Sequence, residues 1–249
     1  MAANSAPSNP LQGFDFEILP SLLLSLTEAS AHRGQTGRPF VTLSYAQSLD
    51  GSLTDQPGKP LALSGPESQA LTHRLRAAHD AILIGIGTVL ADNPRLSVRF
   101  VEGRSPQPVV LDSHLRFPLD AKLLQISSPW IATTGQADPQ RQRALEAAGV
   151  RVLCLPAEAD GRVSLIALLS RLGDLGIISL MVEGGARVIT SFLTARLVDR
   201  VVLTISPVLV GGLHALVGRV PQPTADLLRL RNVHYQQLGQ DLIVWDDLA

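Results

Sequence analysis

The stretch that decides the fold is Asp80-Ala-Ile-Leu-Ile-Gly-Ile-Gly-Thr-Val-Leu-Ala-Asp-Asn-Pro-Arg-Leu-Ser-Val-Arg99. Its first half is a short apolar run bounded by an aspartate and glycines, the pattern of a fully buried strand. It runs through Gly85-Ile86-Gly87-Thr88 into a helical turn. Asn93-Pro94 ends that turn, because a residue before proline is pushed out of the helical region. A strand that ends in glycines and opens a helix lets backbone N–H groups approach a phosphate closely. Thr88, Asp92, Arg95 and Arg99 follow where a bound ligand could be met, so the stretch is read as the junction between a dinucleotide and its substrate.

Outward from this stretch, apolar runs alternate with amphipathic ones. Strands are predicted over 40–45, 108–112, 130–134, 150–155, 177–182 and 200–206. Helices are predicted over 19–31, from Pro66 onward behind a Ser64 or Gly65 cap, and over 138–148, 165–172 and 186–195. Residues 32–38 read as a loop. The chain closes on 233–238, Gly239-Gln240 and 241–245, a β-hairpin with glycine first in a two-residue turn. The expected fold class is therefore α/β, a mainly parallel doubly wound sheet with a C-terminal antiparallel hairpin. A (β/α)₈ barrel suits the length but not that hairpin. One domain is expected over 38–249, behind a flexible leader and possible helix over 1–37.

At 249 residues, 45% hydrophobic and 17% charged, the composition is that of a globular chain. A net charge of −1 with no basic block argues against nucleic acid as partner. No apolar run reaches membrane-spanning length, and the start carries no positive region before its apolar segment. The one cysteine, Cys154, excludes an internal disulfide and fits a reducing, cytoplasmic setting; on a strand-like run it reads as a small buried hydrophobe. The histidines show no metal-ligand spacing, so no metal site is expected.

Two turns carry the chemistry. Gly85-Ile86-Gly87-Thr88 lacks the third glycine of the dinucleotide fingerprint, and two glycines after a strand also make an ordinary tight turn. Asp112 follows at a strand end, where either a ribose-binding acid or an aspartate capping its own turn would sit. Glu183-Gly184-Gly185-Ala186 is more informative: a carboxylate ends a buried strand just before a helix start, although a glutamate there can also serve as a cap. Arg76 and Arg99, with His73 close to Arg76 in sequence, are candidates to neutralise a phosphate by forked hydrogen bonds, or ordinary surface charges. After Ser113, His114 and Arg116 could meet a 2′-phosphate or be solvated loop charges. A glycine-lined cradle beside a few charged groups suits hydride transfer, in which a cofactor supplies the chemistry.

Taken together, four stretches resemble the pyrimidine reductases of riboflavin biosynthesis. They are Arg38-Pro-Phe-Val-Thr-Leu-Ser-Tyr-Ala-Gln-Ser-Leu-Asp-Gly51, Ser64-Gly-Pro-Glu67 with Thr72-His-Arg-Leu-Arg76, Gly85 to Leu96 with Arg99, and Val182-Glu-Gly-Gly-Ala186 followed by Leu197-Val-Asp199 and Ser206-Pro207. The resemblance implies a dihydrofolate-reductase-like fold, NADPH as hydride donor, a phosphorylated pyrimidine as substrate, and a homodimer. The implied reaction reduces C1′ of a phosphoribosylamino-pyrimidine, either the diaminopyrimidinone or the deaminated uracil. By the same resemblance Gly85, Gly87, Thr88, Asp92, Ser113, Gly184, Gly185 and Ala186 contact the cofactor. Arg76, Leu96, Arg99 and Glu183 contact substrate. Asp50 and Gly51 line the nicotinamide pocket, and Asp50 and Glu183 are the candidate catalytic acids. Ser44 stands where bacterial fused enzymes usually carry lysine, and Pro60-Leu61-Ala62 where they carry Ser-x-Trp. A same-fold reductase of another heterocycle or imine, and a non-catalytic nucleotide-binding protein, are the alternatives.

Overall fold

The computed structural model describes residues 18–218 and 227–248; the leader expected over 1–12 lies outside them. The organising stretch forms β3 (Ala81–Gly85) and α4 (Ile86–Asp92) as its pattern predicts. Ile82 and Ile84 face one side of the sheet and Ala81 and Leu83 the other, all buried. A strand buried on both faces reads as a continuous apolar run rather than an alternation.

Around β3 lie β1 (Phe40–Ser48), β4 (Gln107–Leu111), β5 (Trp130–Thr134), β6 (Arg151–Leu155), β7 (Ser179–Val182) and β8 (Arg200–Ser206). All run parallel, and the antiparallel hairpin of β10 (His234–Leu238) and β11 (Asp241–Asp247) extends the β8 edge. Among the described residues the sheet has nine strands in the order β10-β11-β8-β1-β7-β3-β4-β5-β6. A two-stranded ribbon of β2 (Ser52–Thr54) and β9 (Leu213–His214) stands apart. Because β7 enters between β1 and β3, the chain reverses its direction across the sheet there. In an open α/β sheet, ligands bind outside the carboxyl ends of the strands at such a point.

Both faces are covered. On one, α7 (Leu165–Asp174) and α8 (Ala186–Thr194) contribute Leu168, Leu169, Leu172, Ile189 and Phe192 to the core. On the other, α4 and α6 (Pro139–Ala147) bury Val89 and Leu145, while α1 (Ile18–Leu23) and α3 (Pro66–Ala78) pack Ile18, Leu22, Leu71 and Leu75 against Met181, Val202, Ile243 and Trp245. This is the doubly wound arrangement expected. Glycine marks both the turn of the hairpin, where Gly239 has φ +61°, and the entry to α3, where Gly65 is the cap ahead of a first-turn proline.

Three local expectations are corrected. The single helix over 19–31 is broken by a 3₁₀ turn (Leu24–Glu28) and continues as α2 (Ala29–Thr36), so most of the loop expected over 32–38 is helical. Gly37 ends it by taking the left-handed conformation, φ +73°, and donating its N–H to Arg33 O. The short helix α5 (Lys122–Ile126) and the β2–β9 ribbon were not foreseen. Cys154 is exposed rather than buried; β6 is an edge strand, and the alternation that buries Leu153 turns Cys154 outward. No helix among the described residues is long and apolar enough to cross a membrane.

At the amino end of β3, His79 is buried, with Nδ1–H donating to Leu75 O (2.7 Å) and Nε2 accepting from the Thr42 hydroxyl (2.8 Å). Burial pushes its pKa down from 6.5 to about 4. The unfolded chain therefore takes up this proton at a higher pH than the folded one. The stability held above pH 6.5 is lost as pH falls toward 4, by about 3 kcal/mol at about 1.4 kcal/mol per unit. Urea midpoints measured from pH 7 to pH 4 should fall, and a His79→Gln variant should show a correspondingly shallower decline.

Candidate active site

The β3–α4 and β7–α8 turns are neighbours because β3 pairs directly with β7 and Glu183 N–H donates to Leu83 O (2.9 Å). Val188, in the first turn of α8, lies beneath both. A Cβ on Gly184 would sit 2.3 Å from Val188 Cβ, and one on Gly85 2.9 Å from Val188 Cγ2. A side chain at Gly184 would run into the Val188 Cβ itself, and one at Gly85 would require the Val188 side chain to give way. Gly185 is the cap of α8 and, among the described residues, no side chain bonds to the helix start, so its first N–H groups are open to an anion. A Cβ on Gly185 would lie 3.8 Å from Thr88 Oγ1, which places Thr88 at the same cradle. Gly87 is exposed and Ala186 is buried in the first turn of α8.

Beside this cradle Arg76, from α3, forks onto Glu183: Nε to Oε1 at 2.7 Å and Nη2 to Oε2 at 2.6 Å. Burial opposes the charge on Arg76, but the charge and hydrogen bonds of Glu183 outweigh it and the net shift is upward. The third guanidinium nitrogen reaches Ser97 O at 3.4 Å. Arg76 is thus committed to fixing Glu183 rather than free to grip a phosphate alone. Arg99 differs. Its side chain is exposed, lies 3.4 Å from Ser97 Oγ and 5.5 Å over the Phe100 ring, and makes no ion pair among the described residues. Partial burial, then the charges of Arg76 and Arg95, lower its pKa. With Arg76 balanced by Glu183, Arg95 and Arg99 leave an excess of positive charge at this corner.

His73 completes the corner. It is buried, and its Nδ1 accepts the Arg99 N–H at 2.9 Å. Burial first, then Arg76 and Arg99, push its pKa down to about 4, so it stays neutral and orients the Arg99 backbone. Leu96, expected to touch substrate, has φ +56° and its side chain is buried in the core. The left-handed backbone at Asn93 (φ +43°) and Leu96 bends this segment so that Arg99 returns over α3.

Between β1, β7, β8 and α3 a cleft of ≈160 Å³ opens onto Glu183. Ser44, Ser64, Thr72 and Thr204 line it with hydroxyls, and Tyr45 forms part of its wall. Sequence reading placed Ser64 and Thr72 in the resembling stretches without giving them a site role, and did not single out Thr204. The register that sets Thr204 against Ala46 joins residues far apart in the chain, and no local pattern announces it.

The other expected site residues are dispersed. Asp92 is exposed at the end of α4. Ser113 follows β4, two strands from β7, where its Oγ accepts the Val163 N–H (3.2 Å). Asp112 is buried and its Oδ2 accepts the Phe117 N–H (2.8 Å). Of the two readings left open for it, the structure shows the one that caps its own turn.

Asp50 takes four hydrogen bonds: from Ser48 Oγ (2.5 Å), Ser52 Oγ (2.9 Å), Val210 N–H (3.0 Å) and Gly211 N–H (2.7 Å). The Ser48 hydroxyl, then the two backbone N–H groups, hold its carboxyl well below the ordinary carboxylate range. Asp50 is an ionised clasp joining the β1–β2 turn to residues 208–212. Gly51 beside it has φ +80° and donates to Ser48 O.

Residues 39–244 match the RibD C-terminal domain. The chain belongs to this family. It is 39% identical over 214 residues to the 2,5-diamino-6-ribosylamino-4(3H)-pyrimidinone 5′-phosphate reductase of Methanothermobacter thermautotrophicus, covering 83% of this chain and 97% of that protein. To the riboflavin biosynthesis protein RibD of Aquifex aeolicus it is 35% identical over 210 residues, 84% of this chain but 57% of the relative. Among solved structures, the riboflavin biosynthesis reductase Rib7 of Saccharomyces cerevisiae superposes with a TM-score of 0.72 at 31% identity, over 94% of this chain and 100% of that one. The chain thus spans less than two thirds of the length of the RibD relatives and nearly the whole of the archaeal one. The dihydrofolate-reductase-like architecture, a mostly parallel sheet closed by an antiparallel hairpin, is the one observed in this RibD C-terminal domain.

Two variants test these contacts. Gly184→Ala forces a Cβ into Val188 and should lower the melting temperature by several degrees, since overpacking costs about 1–3 kcal/mol; Val188→Ala in the same chain should recover part of the loss. Asp50→Asn should speed amide hydrogen exchange in 208–215 while leaving β3 and β7 protected.

Proposed function

We propose that this chain is an NADPH-dependent pyrimidine reductase of riboflavin biosynthesis, reducing C1′ of 2,5-diamino-6-ribosylamino-4(3H)-pyrimidinone 5′-phosphate to the ribitylamino compound. The observation that carries the reading is the Arg76–Glu183 fork set between the glycine cradle and the exposed Arg99. The cradle fits a pyridine dinucleotide: an uncapped α8 start, glycine at its cap and the Thr88 hydroxyl beside it can meet a pyrophosphate. When bound, the dinucleotide supplies a hydride. The hydroxyl-lined cleft on the β1 side of Glu183 then takes the pyrimidine and its sugar.

In this reaction the C1′–O4′ bond breaks, a C1′–H bond forms and O4′ takes up a proton as the ribose opens to a ribityl chain. Arg99, with Arg95, neutralises the 5′-phosphate. Glu183, its carboxylate locked by Arg76, orients a sugar hydroxyl or ring amine, so that C1′ is presented to the cofactor at reacting distance. Asp50, bonded to four donors, shapes the rim and donates no proton.

The choice of the aminated pyrimidine follows the names of the stand-alone relatives. The hydroxyl of Ser44 both donates and accepts, so it meets an amino or a carbonyl substituent; the deaminated uracil is the competing substrate. A homodimer in a reducing cytoplasm is part of the same proposal.

Following NADPH absorbance with each pyrimidine, and identifying the product by mass, tests this reading. Oxidation with neither substrate rejects it. Arg99→Ala should weaken binding of the phosphorylated substrate by about 1.5–3 kcal/mol, as for a charged hydrogen bond, with NADPH affinity unchanged. Thr88→Val should act in the reverse order, on the cofactor first. Equal losses for both ligands in Arg99→Ala would show that the arginine serves a different group.

A further inference from the structure

The head of α3 is held from the far end of the chain. Its cap, Gly65, donates its N–H to Oδ2 of Asp241 at 2.8 Å, and Asp241, the first residue of β11, is buried. In a capping box that N–H is met locally, by a glutamate or glutamine three residues after the cap. Here the residue at that place is Ser68, whose hydroxyl is buried without a hydrogen-bond partner among the described residues. A carboxylate 176 residues away supplies the bond instead. Glu67, in the first turn of the helix, lies against the same hairpin: a Cβ on Gly239 would come within 2.5 Å of its Oε2. Both carboxylates sit beside the start of a 13-residue helix, where negative charge is favoured.

The bond bears on a single peptide unit. The other end of the Ser64–Gly65 peptide, Ser64 O, accepts from Gln69 Nε2 at 2.9 Å. With its N–H and its C=O both committed, the plane of this peptide is fixed, and the Cα of Ser64 with it. Ser64 lines the cleft, and its own hydroxyl makes no hydrogen bond among the described residues. It is therefore free to meet a ligand from a backbone that cannot turn away.

The same carboxylate joins the two walls of the cleft. Ser44 and Thr204 belong to the sheet wall, and Ser64 and Thr72 to the α3 wall. Ile243, two residues after Asp241, pairs with Thr204, so the strand that orders the sheet wall also carries the group that grips the helix wall. Leu71 and Leu75 hold the later turns of α3 through the core. What Asp241 adds is confined to the head of the helix, where Ser64 stands.

We propose that Asp241 is a positioning residue for the substrate: it fixes the Ser64–Gly65 peptide and so presents the Ser64 hydroxyl to the phosphorylated pyrimidine in the cleft. This rests on the reading of the cleft as the substrate site, and the test separates the two. In steady-state kinetics of the full chain with NADPH, Asp241→Ala should raise KM for the pyrimidine about 10-fold, the effect of one lost hydrogen bond. It should change kcat by less than about threefold and the NADPH Kd by less than about twofold, as for a group that serves substrate binding alone. Asp241→Asn, which keeps an oxygen acceptor, should bring KM back to within about threefold of the unsubstituted chain. Ser64→Ala should reproduce the rise, and adding it to Asp241→Ala should raise KM by no more than about a further twofold, because both act through one hydroxyl. Where Asp241→Ala does not fold, Gln69→Ala, which frees the carbonyl end of the same peptide, carries the test: its KM rise should vanish in a Ser64→Ala background, and a rise that persists there overturns the proposal. A KM for Asp241→Ala within about twofold of the unsubstituted value, an effect additive with Ser64→Ala, or an equal loss of NADPH affinity overturns the assignment of Asp241 while the cleft reading stands. If the unsubstituted chain turns over neither pyrimidine, the reading of the cleft falls, and this inference with it.

Discussion

Val188 is the side chain on which the site is assembled. It occupies the space that a Cβ would need at both Gly85 and Gly184, so the ends of β3 and β7 close on it at once. A larger residue at Gly184 would press on the Val188 Cβ and with it on α8, whose open N-terminus lies beside Thr88, and one at Gly85 would press on the Val188 side chain. Glu183, which Arg76 holds, is one residue before Gly184. The glycines are needed less for unusual backbone angles, since neither has a positive φ, than for the space their missing side chains leave to a helix packed close against two strand ends.

The Arg76–Glu183 fork then divides the site electrostatically. An ion pair with side chains this far removed from water (13% and 16% exposed) gains little net stability, because desolvation cancels most of the attraction. Its effect is directional. It pins the carboxylate between cradle and cleft and cancels one positive charge, so the remaining excess sits on Arg99 and Arg95 at the mouth. His73, kept neutral by burial among these arginines, adds no charge there and is spent on holding the Arg99 backbone. The exposed cations thus stand at the mouth, while the Glu183 carboxylate between cradle and cleft is already fixed.

How much of this was legible in the sequence depends on how local each determinant is. The β3 run, the Gly-Gly turn before α8, the Asn93-Pro94 stop and the Gly239 hairpin are set by neighbours within a few residues, and each formed where its pattern placed it. Arg76 and Glu183 were both candidate site residues, from their local patterns and from the family resemblance, but their pairing joins positions 107 apart, which no spacing encodes. Asp50 shows the limit more sharply. From the sequence it is an acid after a strand; the nearby Ser48 hydroxyl and then N–H groups about 160 residues later hold it as an ionised clasp, and the later groups are what no local pattern announces. Cys154 failed for a related reason: its strand pattern is right, but whether a strand is central or at an edge is a property of the assembled sheet.

The N-terminal segment makes the same point about boundaries. The family match begins at residue 39, and sequence reading drew the domain from 38, yet Ile18 and Leu22 are buried with Trp245 and Ile243. Arg200, itself buried, donates to Leu22 O (2.6 Å) and Ser21 O (3.1 Å) at the end of α1 and bonds Asp247 through Nε (2.7 Å). Ser25 reaches the same carboxylate, and Trp245 Nε1–H donates to Ser21 Oγ. A chain cut at residue 38 would expose the apolar face of α3 and remove the two carbonyls that hold the Arg200 guanidinium. Because α3 carries Arg76 on the same helix, residues 18–37 support the site through the packing of that helix, although these described residues contribute no group to the cleft.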